Sequence, residues 1–227
     1  LYLYSTYSFS LGTFFKTILP IVGISYIGLL FSLLLIPQQP LAAEIPTESH
    51  LPLSAQKKNL IIYSVLGVVC LATVAGFVTH VVCFCVVLLG MIVTDRALIR
   101  RVDWELLLTF VCFFLFSGNL QQIESVRNLM MQGLSGGVCL TAALVSQVIS
   151  NVPAAVLLSG FTEQGKELLL GVDIGGLGTP IASLASLIAY QYYAKSKLAN
   201  PAKYLQFFFI YQFIGLFLLL AIKFILL

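Results

Sequence analysis

The sequence predicts an all-α polytopic membrane protein with a re-entrant hairpin and discontinuous helices. Three observations lead there. Apolar residues make up 59% of the 227 residues and charged ones only 9%, against about 25% charged in a typical soluble domain, and mean hydropathy is +1.02. Apolar runs recur along the chain near the length of about 20 residues that a crossing needs. Short groups of Ser, Asn, Gly and Pro interrupt three of these runs, at Ser117–Asn119, Ser150–Pro153 and Asp173–Pro180. Unpaired backbone groups cost several kcal/mol in hydrocarbon, so irregular backbone at that depth lines protein or a water-filled cavity.

The first span is expected from Phe14 to Ile36. Pro37 to Lys58 follows, with Pro37, Pro40, Pro46, Pro52, Glu44, Glu48, Lys57 and Lys58. Clustered prolines and charges mark a solvated linker, so the domains expected are 1–36, the linker 37–58 and 59–227. Leu60 to Thr94 is too long for one crossing at about 1.5 Å per residue and reads as two helices, Leu60–Ala75 and Phe77–Val93, turning near Gly76. Asp95–Asp103 ends the second, and Trp104 sits where tryptophan prefers the interface. Trp104–Phe116 is too short to span, so a hairpin is expected to enter and leave on one side with its tip at Ser117, Gly118 and Asn119.

Leu129 to Gly160 carries a mid-run break. Pro153 has no N–H to donate and clashes with the preceding turn, and Asn151 beside it offers a donor and an acceptor. After Thr162–Glu167, the run Leu168–Tyr193 is broken at Asp173–Pro180, and the last span covers Tyr204–Leu226. Basic residues gather in four segments, the linker, 95–103, 121–128 and 195–203. Placing all four on one side makes that side cytoplasmic. The expected location is an integral, multi-pass protein of a plasma or inner membrane. Leu1 is not Met and no signal-peptide pattern opens the chain, which reads as a piece of a longer polypeptide.

The five cysteines lie in apolar runs without C-x-x-C spacing, and read as small buried hydrophobes. His50 and His80 are far apart and read as solvated or structural. The small net charge of +3 and the scattered basic residues exclude nucleic acid as a partner. Gly175–Gly178 is no nucleotide loop, since no Gly-Lys-Ser/Thr follows. An intramembrane protease would need a nucleophile and base together, and no serine motif accompanies His80, so no enzyme is expected.

Leu1–Tyr7 (LYLYSTY) echoes Leu187–Tyr193 (LIAYQYY), and each precedes a Phe-rich opening of a long span. Similar units in opposite orientation form an inverted repeat, as in many secondary transporters. Leu1–Ile36 then reads as the end of one half and 59–227 as another.

Val102-Asp103-Trp104-Glu105 before a short apolar run, Ser150-Asn151-Val152-Pro153, and Gly175-Gly176-Leu177-Gly178-Thr179-Pro180 together resemble the ion transporter superfamily, which includes citrate-transporter-like, dicarboxylate–sodium and arsenite-efflux permeases. Their order resembles the C-terminal half of such a permease. Val152 and Pro153 after Asn151 resemble the arsenite-efflux and sodium–proton antiporter branch more than the Ser-Asn-Thr form of dicarboxylate carriers. The resemblance implies an inverted-repeat secondary transporter half that carries a small anion or oxyanion, such as a carboxylate or arsenite-like species, coupled to Na+ or H+. A Na+/H+ antiporter of the same superfamily and a non-transporting scaffold fragment are the alternatives.

By position, the substrate would meet Ser117, Gly118, Asn119, Ser150, Asn151, Val152, Pro153, Gly178, Thr179 and Pro180. No resident cofactor is implied. If coupling uses sodium, Ser117, Asn119, Ser150, Gly175 and Gly176 would hold it, carbonyl and hydroxyl oxygens suiting a hard cation. Asp173 is expected either as a proton or cation carboxylate, costly at that depth, or as a cap for the following half-helix. The partners implied are a small anionic solute, the lipid bilayer, the N-terminal half of the same polypeptide and, optionally, a second copy in a homodimer.

Overall fold

A computed structural model describes residues 2–34, 53–94, 102, 104–196 and 199–226. Among them every regular element is helical. The protein is an all-α polytopic membrane protein. The chain divides into two compact units, Leu1–Ile36 with Leu108–Leu227, and Pro37–Leu107.

The smaller unit contains α3 (Leu53–Val74) and α4 (His80–Thr94). Gly76, at φ 85°, makes the expected turn between them. Leu66 packs on the bare Cα of Gly90, and the sulfurs of Cys83 and Cys70 lie 3.9 Å apart. α3 starts six residues before the expected end of the linker, because 53–58 lacks proline and holds good helix formers. The rest of the linker and most of 95–103 lie outside the described residues. The apolar stretch Asn59–Val74 and α4 are both shorter than a full crossing.

The larger unit begins with α1 (Tyr2–Thr6) and α2 (Leu11–Leu34). It continues with α5 (Trp104–Leu120), α6 (Glu124–Gly136), α7 (Val138–Ile149) and α8 (Asn151–Ser159). α9 (Gly165–Gly175), a 3-10 turn at Pro180–Ala182, α10 (Leu184–Ala194) and α11 (Pro201–Leu226) complete it. α2 and α11 are long and apolar enough to cross a membrane. Each leaves most of its apolar side chains exposed, as a lipid-facing helix does. One buried cluster lies where α7, α8 and α9 enclose Ala142, Ala154, Leu158 and Leu168, and a second packs Ile21 of α2 and Leu216 and Leu219 of α11 on Cys139, Leu170 and Ile174.

Four contacts fix one face of this unit. The Tyr7 hydroxyl donates to the Thr162 carbonyl at 2.6 Å. Burial, with Glu163 and Tyr2 adding to it, pushes the Tyr7 hydroxyl up to about 12, so it stays a neutral donor. Lys223 pairs with Glu167 at 2.6 Å. Gln121 Nε2 donates to the carbonyls of Val156 at 2.8 Å and Leu157 at 3.2 Å, both in the last turn of α8, where carbonyls lack a backbone N–H of their own helix. The start of α2, the ends of α5, α8 and α11, and the start of α9 therefore share one face. Tyr193 stacks on Tyr204 at 4.7 Å, joining the end of α10 to the start of α11 at the opposite face.

These contacts correct two expectations. Ser117, Gly118 and Asn119 are not a hairpin tip but the last turn of the unbroken helix α5. Apolar Phe113–Phe116 and Leu120 flank them, and a single Gly costs only about 1 kcal/mol inside a helix. The chain turns instead after Gln121, where α5 and α6 meet at 89°. The 121–128 segment consequently lies at the Tyr7 face and not with 195–203. The two tyrosine-rich segments make comparable ring contacts. Tyr4 packs on Phe14 at 5.4 Å and Tyr190 on Tyr204 at 5.7 Å, each ring meeting the first turns of the next long helix, at opposite faces.

Candidate functional site

The hairpin that enters and leaves on one face is formed by α7 and α8. A small cavity is lined by Val138, which opens α7, and by Phe161 to Gln164, which follow α8. With its two ends together, the chain must double back between them, and it does so at Ser150. The arms have 12 and 9 residues, about 18 and 14 Å at 1.5 Å per residue. That is roughly half of a hydrocarbon core of about 30 Å. The tip therefore lies about 14–18 Å from the open end of the hairpin. α9, with 11 residues, runs a similar distance from the same face to its own break.

The break falls at Ser150, not at Pro153. Ser150 has φ 73° and ψ 153°, a region that non-glycine residues enter at a cost of about 1–3 kcal/mol. Pro153 occupies the third position of α8, inside the first turn, where the backbone N–H has no intrahelical partner to lose. Asn151 and Val152 are helical as well. A further break, at Gly137, was not expected and separates α6 from α7 with φ 146°.

The two breaks meet, and Gln147 joins them. Its Nε2 donates to the carbonyls of Ala143 at 3.0 Å, Gly175 at 2.9 Å and Leu177 at 2.9 Å. Its Oε1 accepts from the Thr179 amide at 2.9 Å, and its backbone carbonyl accepts from the Thr179 hydroxyl at 2.9 Å. The same Thr179 oxygen caps the 3-10 turn by accepting from Ala182 N at 3.2 Å. Gly178 stands at φ 108°, and a Cβ there would overlap Gln147 Oε1. The Asn151 amide lies against Gly176, where a Cβ would come within 3.1 Å of Nδ2. Ser150 Oγ donates to Ala182 O at 3.4 Å.

Of the expected site residues, the structure thus brings together Ser150, Asn151, Gly175, Gly176, Gly178, Thr179 and Pro180, with Val152 and Pro153 following on α8. Ser117 is buried and donates to the Pro153 carbonyl at 3.2 Å, so it braces α8 from behind the tip. Gly118 and Asn119 are not brought in. The Asn119 amide bonds its own helix at Leu115 O. The carbonyl of Gly175, expected to face a cation, is held by Gln147.

Asp173 is exposed on a helix otherwise buried except at Lys166 and the half-buried Glu167, away from the core. It sits late in α9, before the break, and the cap of the next segment is Thr179. That overturns the capping alternative for Asp173.

The citrate transporter family profile matches residues 2–163, well over half of the chain. The chain belongs to the citrate transporter family. It is 34% identical over 136 residues to inner membrane protein YbiR of Escherichia coli (strain K12), an alignment covering 58% of this chain and 37% of that protein. It is also 34% identical over 132 residues to an uncharacterized transporter of Methanocaldococcus jannaschii, covering 58% and 36%. The chain therefore spans little more than a third of the length of these relatives. No solved structure matches it.

This family member also seats its broken helix in a way the sequence reading missed. Gly171 and Gly175 are one turn apart on α9. Cβ atoms there would come within 2.5 Å of Cys139 O and 2.7 Å of Ala143 Cα. The small-x-x-x-small spacing that lets membrane helices approach backbone to backbone was the available signal. Gln147 ties α7 to the end of α9 and to the loop beyond it.

Proposed function

We propose that this chain forms half of a secondary active transporter for a small anion or oxyanion, a carboxylate or arsenite-like species, coupled to Na+ or H+. The observation that carries this is the meeting of the tip at Ser150–Asn151 with the break at Gly176–Pro180. α8 begins at Asn151, and the segment after Thr179 begins a second helical run. α8 presents its positive end there, and its first-turn N–H groups with the aligned dipole favour an anion.

In this reading Asn151 and Thr179 contact the substrate, with Ser150, Gly178 and Pro180 shaping the backbone around them. Asp173 faces away from the core and serves as the proton or cation carboxylate. A second half of opposite orientation, ending in 1–36, supplies the rest of the site.

The test is uptake and efflux of citrate, succinate, sulfate and arsenite by the full-length protein under imposed sodium and proton gradients. Asn151→Ala and Thr179→Ala should each remove the flux while leaving membrane insertion normal. Unchanged flux in both variants would refute the site.

A further inference from the structure

We propose that the Gln147 side-chain amide is a built-in substitute for a coupling cation, so that this half of the site closes without binding sodium. The inference rests on the transporter reading for its meaning, but its physical basis is independent of any substrate.

Three carbonyl oxygens converge on one atom. Ala143 O comes from the hairpin arm α7, Gly175 O from the end of α9 and Leu177 O from the unwound loop beyond it. They lie 3.0, 2.9 and 2.9 Å from Gln147 Nε2. The amide orientation is dictated by its neighbours, because Oε1 faces the N–H of Thr179 at 2.9 Å and only the NH2 end can face carbonyls. An amide that merely pinned one helix to another would need a single acceptor. This one has two hydrogens for three acceptors, and it gathers oxygens from two helices and a loop, as the all-oxygen shell of a hard cation does. Gly178 leaves the space in which the amide lies, since a Cβ there would overlap it.

The consequence concerns coupling. A cage that must be filled by a dissolved ion closes only when that ion arrives. A cage filled by a tethered amide is satisfied permanently, so closure of this break is uncoupled from sodium. Any ion dependence of transport then enters elsewhere, at Asp173 or in the other half.

Thermal unfolding of the purified full-length protein in NaCl, KCl and choline chloride at equal ionic strength tests this without any transported solute. Gln147→Ala vacates the cage, and Gln147→Glu replaces the NH2 with a fourth oxygen. Either variant should acquire a saturable, sodium-specific rise in unfolding midpoint, as binding to the folded state alone requires, larger than any shift in the parent protein. Using both guards against one failing to fold. If neither variant responds to sodium more than the parent does, the cage is not a cation shell and the proposal falls. Absence of citrate or arsenite flux would count against the transporter reading and leave this result standing.

Discussion

Thr179 closes a ring with Gln147: its amide donates to the Gln147 side chain and its hydroxyl to the Gln147 backbone carbonyl, both at 2.9 Å. One residue of the second break is thereby tied to the last turn of the hairpin arm at two points 32 positions away in sequence.

Thr179→Val keeps the shape and removes the hydroxyl. It should cost about 1–3 kcal/mol, the sum of a lost cap and a buried carbonyl left without its donor. Thr179→Ser should retain most of the stability. Thermal unfolding of the two variants in detergent compares them, and equal midpoints would mean that the hydroxyl bonds are not formed.

Gly178→Ala combines a positive φ with a collision against Gln147. The backbone strain alone is on the order of 1–2 kcal/mol. Because the collision is with one side chain, Gln147→Ala in the same protein should relieve part of the loss. A double-mutant cycle should give a coupling energy of about 0.5–3 kcal/mol. Strict additivity would place these residues apart.

Ser150→Gly should leave stability unchanged or raise it by up to about 1 kcal/mol. Glycine accepts the tip conformation without the cost that serine carries there, and the bond lost is the long one to Ala182. A marked fall in unfolding midpoint would show that the tip does not adopt this conformation.

Most of the fold was legible in the sequence because it depends on hydropathy alone. α2, the α3–α4 turn at Gly76 and α11 follow from run length and one glycine. The hairpin was misplaced because polarity was taken as a breaker. Ser117, Gly118 and Asn119 look like a tip, yet Ser117 satisfies its hydroxyl on a neighbouring helix and Asn119 on its own turn, so the helix continues. Ser150–Pro153 is marked as a break in the sequence, but only the Ser150 backbone, at φ 73°, puts the tip at that one residue. The site itself was half legible. Glycines and prolines mark where backbone is irregular, but Gln147 carries no such mark, and its partners are 28 to 32 residues distant.

Lys223 and Glu167 join the end of α11 to the start of α9 at 2.6 Å, the lysine side chain only 11% exposed. Glu167→Gln leaves that ammonium without its counter-charge, and the loss should be about 1–3 kcal/mol given that Glu167 is partly exposed. The exchange Glu167→Lys with Lys223→Glu should recover part of it. Failure of the exchange to improve on either single variant would mean the two helix ends do not meet.

The bonds of Gln147 also bear on how the protein is made. The arms α7 and α8 are each too short to partition into a bilayer as a span, and the Gln147 and Ser150 side chains near their tip find most of their partners between Gly175 and Ala182. While the ribosome has not yet delivered those residues, the tip lacks most of these hydrogen bonds. The hairpin must therefore wait at the membrane surface and enter after α9 has emerged. A chain truncated before Gly175 should leave residues 138–159 accessible to protease even in intact membranes.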